Sequence, residues 1–154
     1  TSQLNVDTIV DKAGSGGTNV KVANTSTYVS DGGAVTQNTV QGLAKAWVNF
    51  DGTATDAAAR DGFNNSSMTD VGTGLYTLTM TNAMNSTNSM IASGLCTDDG
   101  STNNHVANLS LDRTGSGGSP FTTTTIGFNT VFETSGATLN DMDFVTVAIH
   151  GDLA

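Results

Sequence analysis

Side chains able to do chemistry are few and scattered in this chain. Its 154 residues include one cysteine, two histidines, one tryptophan and five basic residues, against 14 acidic ones. Cys96 has no second cysteine to pair with and no histidine close in sequence to activate it. It reads as a small apolar residue. His105 and His150 stand far apart, and no third Cys or His has the spacing of a zinc site. Asp98-Asp99-Gly100 offers oxygen ligands on a turn, but the fixed spacing and closing Glu of a calcium loop are missing. Asp141, Asp143 and Asp152 read the same way. A glycosidase needs two carboxylates across a cleft, and no motif places such a pair here. The G-x-S-x-G elbow is absent. The two Gly-Ser-Gly-Gly loops, at 14–17 and 115–118, lack the Lys of a phosphate loop and read as connections. No catalytic, cofactor-binding or metal residue is expected, and no enzyme.

Two positions keep a functional reading. Trp47 lies on the strand face opposite Val48 and Phe50, and three roles stay open for it: subunit core, subunit interface, where Trp is enriched, or a platform for stacking a carbohydrate. Arg60 stands beside Asp61. The pair is either a buried or intersubunit salt bridge or a solvated pair, the latter worth at most about 1 kcal/mol.

The charge narrows the partners. The net charge is −9, and Lys12, Lys21, Lys45, Arg60 and Arg113 are dispersed. No basic cluster exists to neutralise phosphates, so a nucleic-acid partner is not expected. An anionic membrane surface would repel the chain, and no apolar run is long enough to cross a bilayer as a helix.

The elements that must carry these residues are strands. Apolar residues make up 36% and charged residues 12%, both below ordinary globular usage. Thr, Val and aromatic residues favour the pleated surface, and turn signals recur about every ten residues. Alternation predicts strands near 4–8, 20–22 and 28. The clearest spans 43–50, with Ala44, Ala46, Val48 and Phe50 on one face and Lys45, Trp47 and Asn49 on the other. Segment 35–42 is ambiguous between helical turn and strand, and Ala57-Ala58-Ala59 suits one helical turn. Further strands are expected at 63–69, 75–81, 89–96, 106–113, 121–134 (as one or two) and 144–150, with a hairpin turn at 70–74 and a turn at 135–136. About eight to ten strands fit an antiparallel β-sandwich or jelly-roll over 41–154. Residues 1–40 read as an extended amino-terminal arm. So little apolar material gives a thin core, and contact with copies of the same chain is expected to supply missing burial.

Segment 43–92 resembles a β-domain common in phage tail-fibre proteins and other phage-derived structural proteins. The shared features are Ala46-Trp47-Val48-Asn49-Phe50, Gly52, and Arg60 ahead of an aromatic residue. Asn65-Ser66-Ser67, Thr69-Asp70, Gly72-Thr73-Gly74 and Tyr76-Thr77 continue them. The chain departs from that pattern at Ala57-Ala58-Ala59 and lacks a proline after Met84. Leu4-Asn5-Val6-Asp7-Thr8-Ile9 with its Gly-rich sequel resembles the amino-terminal segment of marine phage structural proteins. The resemblance implies a virion-bound, non-enzymatic oligomer, expected as a homotrimer on the particle surface. Leu4, Val6 and Ile9 would anchor it to other virion proteins of the tail, the portal region or the capsid. Trp47, Phe50 and Arg60 would lie at the oligomer interface. Loops 97–105 and 114–120 would face outward, where they could meet a host glycan or protein. A fibre or spike subunit for host attachment is the leading expectation. A capsid decoration (cement) protein or head fibre is the alternative.

Overall fold

A computed structural model describes residues 27–29, 36–38, 42–97, 106–112, 121–133 and 137–153. The chain divides into two units, 1–40 and 41–154. In the first, β1 (Thr27–Val29) and β2 (Thr36–Asn38) pair antiparallel. The ambiguous segment 35–42 thus contains a short strand. The expected strands near 4–8 and 20–22, the anchor residues Leu4, Val6 and Ile9, and the loop stretches 98–105 and 113–120 lie outside the described residues.

The second unit is built from two antiparallel sheets. One has the order β4-β3-β11-β7, from Ala59–Phe63, Ala44–Phe50, Phe144–His150 and Ile91–Thr97. The other contains β5 (Asn65–Gly72), β6 (Leu75–Met80), β8 (Val106–Asp112), β9 (Thr125–Glu133) and β10 (Ala137–Leu139). β8 pairs with β9 over 127–133, while β6 and β10 pair with its first and last parts. Since β8 occupies one edge of β9, β6 and β10 must share the other. A single 3-10 turn, Thr87–Ser89, is the only helical element among the described residues.

Alternation places one apolar row from each of β3, β11, β6 and β9 into a common core. Ala46, Val48 and Phe50 of β3 and Val145, Val147 and Ile149 of β11 meet Tyr76, Leu78 and Met80 of β6 and Ile126 and Phe128 of β9. Phe50 and Tyr76 touch edge to face, with ring centroids 5.0 Å apart. Such a contact adds about 0.5–1.5 kcal/mol beyond area burial. Where β7 meets β8, the fit is close. A β-carbon on Gly94 would collide with the Thr146 carbonyl oxygen and with Leu109, and the seam leaves a cavity of only about 60 Å³.

The stretch 63–69 is not one strand. The chain leaves the first sheet after Phe63 and enters the second at Asn65, turning on Asn64 alone. Asn64 adopts φ 54°, left-handed backbone that Asn tolerates better than most side chains. Its amide then secures the corner. Nδ2 donates to the Lys45 and Asn82 carbonyls at 3.0 and 3.2 Å, and Oδ1 accepts from the Asn82 backbone N–H at 2.7 Å. Ala57-Ala58-Ala59 does not form a helical turn either. Asp56 and Ala57 both have positive φ, at 72° and 46°, and Ala57 is buried among the core residues. Burying its methyl group holds a backbone that local propensity disfavours.

At one end of the core, a polar knot joins three loops. The Tyr76 hydroxyl shares its one proton between Asp141 Oδ1 at 2.9 Å and the Gly52 carbonyl at 3.1 Å. The Gly74 N–H also reaches Asp141 Oδ1, at 2.6 Å, and the Thr130 hydroxyl donates to the Asn140 carbonyl at 2.6 Å. Gly74 has φ 67°, and any β-carbon there would run into the Thr130 and Asn140 backbone. Burial first, and then the Asp141 carboxylate, push the Tyr76 phenol well above its ordinary range.

Two outcomes are expected from urea unfolding. Asn64→Gly keeps the backbone angle and loses the amide bonds, whereas Asn64→Ala loses both. The Ala variant should therefore be less stable than the Gly variant by about 1 kcal/mol, and equal stabilities would refute the corner. Tyr76→Phe should cost about 1–3 kcal/mol. It should also flatten an alkaline slope. The unfolded phenol ionises near about pH 10 while the folded one keeps its proton, so wild-type stability should fall as pH rises past that value, more than in the variant.

Candidate functional site

The strand alternation that fills the core also determines what the sheet β4-β3-β11-β7 shows outside. Register places Phe63, Trp47, Ala148 and Ser93 in one cross-strand row, and Asp61, Asn49, Thr146 and Leu95 in the next. Phe144 lies opposite Thr97, and His150 opposite Ile91, on the same outer face. Four large apolar side chains stand open there: Leu95 at 76% exposure, Ile91 at 68%, Phe63 at 55% and Phe144 at 42%. Trp47 sits among them half-buried. A shallow concavity of about 600 Å³ runs over Trp47, Asn49, Ser93, Leu95, Thr146 and Ala148. The Asn49 Oδ1 is shielded from solvent and has no hydrogen-bond partner, a state that costs about 1–3 kcal/mol.

Arg60 guards one margin of this face. It does not pair with its neighbour Asp61. Its Nη2 meets Asp51 Oδ2 at 2.9 Å, and its Nη1 donates to the Phe50 carbonyl at 3.2 Å. Its Cζ lies 5.5 Å from the centre of the Phe144 ring, within cation–π range. The β3–β4 loop is therefore closed by a guanidinium that bridges two strands, and the same group rests on an outward aromatic ring. Asp51 Oδ1 also accepts from the Thr53 hydroxyl and backbone N–H. These Thr53 bonds, and the nearby Arg60 charge after them, hold its carboxyl below the usual carboxylate range.

Of the three residues expected at an interface, the structure puts Trp47 and Arg60 on or beside this face, and Phe50 elsewhere. Phe50 is fully buried within the single subunit. Its ring belongs to the core, because it shares the Val48 side of β3. Sequence reasoning passed over Phe63, Ile91, Leu95 and Phe144. The signal for Leu95 and Ile91 was present: they alternate with Ala92, Gly94 and Cys96, which turn inward. Their size, however, argued for the opposite assignment. Cys96 packs against the core, and burial pushes its thiol up. Among the described residues no group of three His, Cys, Asp or Glu side chains gathers to hold a metal, and no helix is long and apolar enough to cross a membrane.

No known protein family, curated protein or solved structure matches the chain.

The Asp51 geometry has a measurable consequence. Its carboxyl titrates lower when folded than when unfolded. The stability this contributes is present above the unfolded value, near about 3.9, and is lost as pH falls through the folded one. Asp51→Asn should narrow the difference in urea midpoint between pH 6 and pH 3. An unchanged difference would show that the Thr53 and Arg60 contacts do not favour the charged form.

Proposed function

We propose that the chain is a structural subunit of a tailed-phage virion, of the fibre or spike kind, which works as a homotrimer and carries out no catalysis. The observation that carries this reading is the apolar outer face of the sheet β4-β3-β11-β7. Isolated exposed apolar residues are ordinary, but four large ones on the outer face of one sheet, Leu95, Ile91, Phe63 and Phe144, mark a surface for association. Its setting sharpens the point, because the chain is only 36% apolar and still leaves Leu95, Ile91 and Phe63 outside the core. A chain that spends scarce apolar material on its surface is built to be covered.

The resemblance of segment 43–92 to the tail-fibre β-domain supports the same reading, and its motif residues acquire physical roles. Ala46, Val48 and Phe50 fill the core. Trp47 stands outward. Arg60 closes the β3–β4 loop, and the Gly72-Thr73-Gly74 turn leads into Tyr76. In this reading the unit 41–154 is a β-sandwich and residues 1–40 form the arm, with Leu4, Val6 and Ile9 gripping another virion protein. Loops 97–105 and 114–120 face outward towards the host. Loops on a rigid scaffold are where recognition varies most freely, and three copies would strengthen weak single contacts through multivalency.

Labelled antibody against the chain, imaged on purified phage particles, tests the proposal. Label at the tail is the expected result. Label spread over the head would replace the fibre with a capsid decoration protein or head fibre, and particles free of label would overturn the virion assignment.

A further inference from the structure

We infer that copies of this chain meet one another through the outer face of the sheet β4-β3-β11-β7, with Trp47 near the centre of the contact. The inference rests on the oligomeric reading above and names the surface that reading requires. Three observations select a second copy as the occupant.

Charge is the first. Copies with a net charge of −9 repel one another over most approaches. The two central rows of this face carry one carboxylate, Asp61, among Phe63, Trp47, Ala148, Ser93, Asn49, Thr146 and Leu95. The Arg60 cation lies over Phe144 at the margin. The face is therefore nearly neutral, and like-charged copies can approach there with little repulsion. A basic partner would gain more from the carboxylates elsewhere, and an anionic lipid surface would gain nothing.

The second is the chemistry of the exposed groups. A neutral oligosaccharide would find an aromatic ring in Trp47, but the most exposed large apolar side chains of the face are Leu95 and Ile91. These offer no hydrogen bond to a sugar hydroxyl. Aliphatic side chains on the β7 side and aromatic ones on the β3 and β4 side, with a single carboxylate in the two central rows, suit a protein–protein contact.

The third is rigidity. β11 pairs with β7 over the whole length of β7 without a register shift. Beneath Trp47, β3 is held by Val48 and Phe50 in the core. The face is pre-formed, so covering it orders few side chains and retains more of the gain from burial. Around a threefold axis the contact is heterologous: the β7 margin, with Leu95 and Ile91, meets the β4 margin of the next copy, with Phe63 and Asp61.

The test uses the full chain, followed by sedimentation and by emission of its single tryptophan. Wild type should sediment as a trimer, with Trp47 emission shifting to the blue as copies associate. Leu95→Lys should weaken association at least tenfold and lose that shift. Its far-ultraviolet circular dichroism should be unchanged, because Leu95 is 76% exposed. Phe63→Lys at the opposite margin should do the same and serves if Leu95→Lys fails to fold. Thr69→Lys, on an exposed position of β5 in the other sheet, adds the same charge and should leave association intact. If wild type is a trimer and both face variants assemble as well as Thr69→Lys, the face is wrong and the trimer stands. A monomeric wild type removes both. A monomer whose Trp47 emission responds only to added neutral oligosaccharide assigns the face to a ligand and also overturns the inference.

Discussion

Successive side chains on a strand point to opposite faces, and much of this molecule follows from that rule acting on β3. With Ala46, Val48 and Phe50 committed to the core, Trp47 and Asn49 have no choice but to face out. Cross-strand register passes the constraint along. Val48 lies opposite Val147, and Val147 opposite Gly94, so Ala148, Leu95 and Thr146 are carried to the same outer surface as Trp47. A slip of one residue would exchange the two sets and leave the core lined with Trp, Asn and Thr. The apolar outer face is therefore produced by the same pairing that forms the core, and the two cannot be altered independently.

The polar residues that dominate the composition are structural as much as solvating. Asn64 turns the chain between sheets in a single residue and ties itself to Lys45 and Asn82. Thr130, Asn140 and Asp141 join Tyr76 and two glycine turns into one hydrogen-bonded knot. Thr122 caps the entry to β9 by accepting from the Thr124 and Thr125 backbone N–H groups. Each device satisfies backbone groups that a loop would otherwise leave without a partner in the chain. A core this small holds its shape because its ends are tied by short side chains that lose little rotamer freedom on ordering.

The regular strands were legible in the sequence, and the irregular joints were not. Alternation gave β3 with its correct inward residues, Ala46, Val48 and Phe50, and placed β6, β8 and β11 at nearly their observed bounds, because a half-buried strand writes its burial pattern directly into residue type. The corner at Asn64 left no such trace. One residue of left-handed backbone fuses two strand patterns into what reads as a single run, and β4 disappeared into it. The left-handed Asp56 and Ala57 were hidden for a related reason: three alanines favour helix locally, and only burial of the Ala57 methyl overrides that preference. Among the candidate interface residues, the outward phase of Trp47 on β3 was legible from its alternation with Ala46 and Val48. Phe50 was misassigned although its phase was the same as that of Val48. Leu95 and Ile91 were overlooked because large aliphatic residues are ordinarily taken as core.

If the outer face is completed by other copies, stability must depend on how many copies are present, since anything that binds only the folded chain stabilises it by mass action. The most direct measurement is the urea midpoint of the intact chain across a thousandfold range of protein concentration. The account predicts a midpoint that climbs steadily with concentration. A midpoint that stays the same over that range would contradict it, because a subunit that gains nothing from its neighbours has no face waiting to be covered.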